Sequence, residues 1–85
     1  MYEMNKEELW GILEQEKCFL ADGFDDAVIG VSYGPDQVAI YDIGKVVEIL
    51  SEDMPHEDAV EFFEYNIAGA YLGPKTPMFV FTHGK

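Results

Sequence analysis

The chain has 85 residues and a mass of 9.6 kDa, the size of one small domain. Five Lys and no Arg stand against 17 Asp and Glu, a net charge of −12, which excludes phosphate recognition by a basic patch and with it ordinary binding to nucleic acid or an anionic membrane. With 48% hydrophobic and 14% aromatic residues, the chain is too apolar to remain disordered.

Asn5 opens the first predicted helix. Its side chain can take up a free N–H, and Glu8, three residues on, completes a capping box. Leu9, Ile12 and Leu13 follow at helical spacing, which predicts a helix from about Lys6 to Cys18, stopped by Ala21-Asp22-Gly23. Asp25 to Tyr33 alternates as a strand, with Ala27, Ile29, Val31 and Tyr33 on one face and Asp26, Val28, Gly30 and Ser32 on the other. Gly34-Pro35-Asp36 marks a turn, and Val38 to Asp42 forms the second strand of a hairpin. Matching apolar faces sets Val31 opposite Ile40 and Tyr41 opposite Gly30.

Asp42 is placed to cap a second helix with Ile43, Val46, Val47 and Leu50 as its stripe. Pro55 suits the start of a third, whose Glu57 and Asp58 complement its positive end. Ala59, Phe62, Phe63, Asn66, Ile67 and Ala70 make the inner stripe of that helix, and Leu72-Gly73-Pro74 stops it. Met78 to Thr82 is the last strand. The order α-β-β-α-α-β predicts an α+β fold, a three-stranded antiparallel sheet packed with helices. The last strand is expected beside the first, whose apolar residues on both faces suit a central position.

One cysteine, Cys18, excludes an internal disulfide and a cysteine-based zinc site, and it reads as a small half-buried apolar residue at the end of a helix. No apolar run is long enough to span a membrane and no secretory leader is read, so a cytoplasmic location is expected. Asp25, Asp26 and Asp42 suggest a divalent cation at first sight, but Asp25 and Asp26 point to opposite strand faces and Asp42 serves as a cap. His56 falls in a helix's first turn and His83 near the terminus, and neither pairs with a nucleophile by position. There is no phosphate loop, no dinucleotide glycine pattern and no metal-ligand spacing. These readings predict no catalytic residue, no cofactor and no metal. Asn66 interrupts an apolar stripe and is expected to be buried, with its amide bonded to a neighbour.

From Asp26 to Val31, through Tyr41-Asp42 and Val47 to Leu50, and most clearly from Asp58 to Tyr71, the chain resembles a group of small proteins encoded by tailed phages. The resemblance covers roughly the last 60 residues, from about Asp25 to Phe81, and leaves out the first helix. It implies a phage or prophage origin and action inside an infected or lysogenic bacterium, and it carries no catalytic residues.

The acids are dispersed, ten in residues 1–42 and seven in 43–85. Their one ordered array is Glu57, Asp58, Glu61 and Glu64, an outward stripe of the third helix whose carboxylates stand roughly 5–6 Å apart on adjacent turns. This predicts a protein-protein interaction module whose acidic face meets an unidentified, basic partner. In its sharpest form it is a DNA mimic that occupies the nucleic-acid-binding surface of a host protein. Solubility, or adaptation to salt, is the plainer account of the same charge. The alternatives are a small metal-assisted hydrolase using the carboxylates and a purely structural homo-oligomer. Val28, Ala39, Tyr41, Met78 and Val80, read as one apolar sheet face, predict that either the first helix or a second copy covers them, and favour a homodimer.

Overall fold

The computed structural model describes residues 3–83. Three helices, α1 (Lys6–Gln15), α2 (Ile43–Leu50) and α3 (His56–Phe62), accompany three strands, β1 (Val28–Val31), β2 (Ala39–Asp42) and β3 (Met78–Val80). The α+β class and the element order are those predicted. Asn5 and Glu8 form the reciprocal capping box at the start of α1, at 2.8 and 3.0 Å. Asp42 caps α2 by accepting the Gly44 N–H at 3.3 Å.

The sheet differs from the expectation in order and sense. β2 is central, β1 is antiparallel to it and β3 is parallel to it. The α2–α3 crossover returns the chain to the end of the sheet from which β2 started, so the next strand runs the same way. β1 lies at an edge because its pairing is broken by a bulge between Val28 and Gly30, a feature that sheet edges accommodate. The bulge also resets the register. Val31 faces Ala39, Gly30 faces Ile40 and Val28 faces Tyr41. Tyr41 therefore does not cover Gly30.

Tyr41 and Ala39 point into the core and have no solvent exposure. The Tyr41 ring meets Phe79 of β3 at 5.4 Å between centroids, and Phe63 meets Phe79 edge-on at 5.2 Å. Leu9 and Leu13 of α1, Val46 and Val47 of α2, and Ala59 of α3 complete one continuous cluster. The helices thus share one face of the sheet. The shortest dimension, 20 Å, fits one layer of helix, about 10 Å across, on one layer of sheet.

Val28, Ala39, Tyr41, Met78 and Val80 do not form a single face. Ala39 and Tyr41 lie under this chain's own helices, whereas Met78 pairs with Ile40, and Val80 with Asp42, on the opposite side. The parity of β3 set Phe79, not Met78 and Val80, beside Tyr41. On the side without helices, Met78 is half exposed, and Ile29 at the bulge is equally exposed.

α1 ends at Gln15, three residues before Cys18. Lys17 takes the left-handed conformation (φ 55°), and the Cys18 N–H donates to the Leu13 carbonyl while the Lys17 N–H donates to that of Glu14. This is a Schellman closure with lysine where glycine is usual. Asp25–Ala27 form a single tight turn instead of the start of the strand.

α3 also departs from its predicted form. After Phe62 the backbone widens into one π turn over Phe63–Ile67, with the Ala68 N–H donating to the Phe63 carbonyl at 2.8 Å. One extra residue in the turn rotates everything beyond it. Ala59 and Phe63 remain buried and Ile67 half-buried, but Phe62, Asn66 and Ala70 face outward. Among the described residues, no helix is long and apolar enough to cross a membrane.

Candidate functional site

The four acids singled out in the sequence all lie exposed on α3 and its widened turn. Burial of Ala59 and Phe63 fixes the rotation of the helix, and Glu57, Asp58, Glu61 and Glu64 follow on the outward side. Among the described residues the ion pairs are Lys45–Glu48 at 3.0 Å and Lys75–Glu16 at 3.4 Å. No lysine of the described residues pairs with the acids of α3.

The acids do not stand alone. Asp58 and Glu61 surround a shallow depression with Met54, Phe62, Tyr65 and Asn66. Phe62 is 41% exposed and Tyr65 81% exposed. Asn66, expected inside the helix packing, is part of this surface. The sequence reading missed the aromatic component because it assumed a regular α-helix through residue 70. Adjacent Phe62 and Phe63 held the available signal, since two consecutive residues cannot share one narrow buried stripe.

On the other flank of α3 lies an apolar groove of about 270 Å³. Ile43, Gly44 and Val47 of α2 form one wall, Val60 and Phe63 the other, and the exposed Phe81 closes one end. His56 and Glu64 are its polar lining. The Thr82 hydroxyl donates to the Asp42 carboxylate at 3.2 Å and holds the segment after β3 beside the start of α2.

The remaining candidates are separated. Asp25 and Asp26 sit exposed in the turn before β1, and Asp42 is engaged by Gly44 and Thr82. Among the described residues, no three His, Cys, Asp or Glu side chains come together as metal ligands would. His83 is exposed and lies away from any grouping of that kind. Cys18 is half-buried and donates to the Gln37 carbonyl at 3.2 Å, which Lys75 also reaches at 3.2 Å. Burial pushes the Cys18 thiol up from its ordinary range, against the lowering effect of the Lys75 charge. A thiol held in its neutral form is a poor nucleophile.

Comparison with family models, curated proteins and solved structures found no match to this chain.

Proposed function

We propose that this protein acts by protein–protein interaction, presenting the acidic and aromatic surface of α3 to a basic surface on another protein. The observation that carries this reading is the placement of exposed Phe62 and Tyr65 beside Asp58 and Glu61. Charge alone keeps a protein soluble. Large aromatic side chains left in water next to that charge are what protein interfaces use for contact area.

In the finer reading the partner is a nucleic-acid-binding protein of a bacterial host and the acids stand in for phosphates, so the protein is an acidic accessory factor of phage type in the cytoplasm. The resemblance of Asp26–Val31 and Asp58–Tyr71 to small tailed-phage proteins supports that setting, and the net charge of −12 supports rapid, salt-sensitive association. A carboxylate hydrolase has less support, because the acids spread over the surface instead of converging. A structural homodimer draws on the exposed Ile29 and Met78 at the helix-free side of the sheet, but two like-charged copies repel.

The test is capture from bacterial lysate on the immobilised protein at low and raised salt. A basic nucleic-acid-binding protein retained at low salt, and released steeply as salt rises, is the expected result. A lysate that yields no partner at low salt counts against the reading.

A further inference from the structure

The groove between α2 and α3 borders the acidic face but belongs to different chemistry. Its walls are Ile43, Val47, Val60 and Phe63, and Gly44 leaves the space open where any other residue would place a side chain. Phe81 is 86% exposed at its end, an aromatic ring without a partner in this chain. Glu64 lines the groove and is also the last member of the acidic array. Glu57 and Glu61 stand on the same helix toward solvent. The groove therefore carries an apolar floor and a negative rim.

That combination selects its occupant. We propose that the α2–α3 groove is a docking site for a basic amphipathic helix of a partner protein, an inference that rests on the acidic-face reading above. Large apolar residues of the incoming helix at i, i+3 or i+4, and i+7 enter the groove against Val47, Val60 and Phe81. Its Lys or Arg residues lie over Glu64, Glu57 and Glu61. Charge complementarity argues for this occupant over a second copy of the chain. A copy would bring −12 of its own toward the same rim. The groove would supply specificity that the charge lacks, since long-range attraction steers any basic protein equally well.

The chain provides its own clean test. A Cβ added at Gly44 would meet only the Asp42 carboxylate, at 3.7 Å, which is ordinary contact distance. Gly44→Leu therefore fills the groove without straining α2. Phe81→Ala removes the end wall at a position too exposed to endanger the core. The probes are two synthetic helical peptides with the same lysines, one with leucines at the anchor positions and one with alanines there. Binding is followed by fluorescence anisotropy and by methyl shifts of Ile43, Val47 and Val60.

The leucine peptide should bind the wild type, shift those methyl groups, and lose about tenfold or more in affinity with Gly44→Leu and with Phe81→Ala. The alanine peptide should bind weakly and be indifferent to both substitutions. Equal binding of the two peptides, or unchanged affinity in both variants, overturns the groove. If affinity falls only when Glu57, Asp58, Glu61 and Glu64 are neutralised, the acidic-face reading stands and the groove does not. If it falls with neither set, both fail. A wild-type dimer in light scattering that Gly44→Leu abolishes would assign the groove to a second copy and likewise overturn the proposal.

Discussion

The Tyr41 hydroxyl accepts the Ala21 N–H at 2.7 Å, and the side chain that carries it has no solvent exposure. One residue thus fills the centre of the sheet and ties down the chain between α1 and β1. Burial raises its phenol above the ordinary range, opposed by the Ala21 bond. Tyr41→Phe keeps the ring and leaves the Ala21 N–H without its partner, so it should cost about 1–2 kcal/mol in urea unfolding near neutral pH. The pH dependence has a definite sign. Between the unfolded and the raised folded pKa, the folded state keeps a proton that the unfolded state has lost. Stability of the wild type therefore falls as pH rises past about 10, and the gap between wild type and Tyr41→Phe narrows there. A gap that widens above that pH would contradict the burial argument. Nothing in the sequence marked Tyr41 as this hub. Alternation placed it on the same side as Ala39, which is correct, but gave no means of telling which side the helices would cover.

At the scale of elements, the helix starts were legible because their caps are local. Asn5 with Glu8, and Asp42, act within three residues of their own position, and tertiary packing has little power to move them. The helix ends and the register were not legible. Lys17 takes a conformation that costs a non-glycine residue roughly 1–2 kcal/mol, so the sequence pointed past it to Gly23. Lys17→Gly should accordingly raise stability by roughly 1 kcal/mol, read as a higher urea midpoint at unchanged slope. No gain would mean that the Leu13 and Glu14 carbonyl bonds do not depend on the left-handed residue. The bulge in β1 and the widened turn after Phe62 have the same origin as errors. Each inserts one residue into a periodic pattern, and every later residue changes face. Ala59 and Phe63 precede or begin the shift in α3 and were placed correctly. Phe62, Asn66 and Ala70 were not. The acidic stripe survived because it occupies the helix before the insertion, apart from Glu64, which stays outward in the turn.

For the molecule as a whole, −12 of charge is held within a radius of gyration of 13.2 Å, comparable with the screening length of about 10 Å at 0.1 M salt. Self-repulsion therefore works against the folded state at low ionic strength. Thermal stability should increase as sodium chloride is added from low to physiological concentration, and a melting temperature indifferent to salt would show that the acids are too dispersed to interact. The central claim is narrower: the charge of α3, not the net charge, makes the contact. Two quadruple variants separate these. One neutralises Glu57, Asp58, Glu61 and Glu64. The other neutralises Glu14, Asp22, Asp36 and Glu52, which are equally exposed and lie on other elements. Both lower the net charge to about −8 by the same formal count. The most direct measurement is the affinity of each variant for the captured partner at one fixed low salt concentration. Binding lost in the α3 variant and largely retained in the other is the predicted result. An equal loss in both would reduce the acidic face to net charge alone and contradict the account.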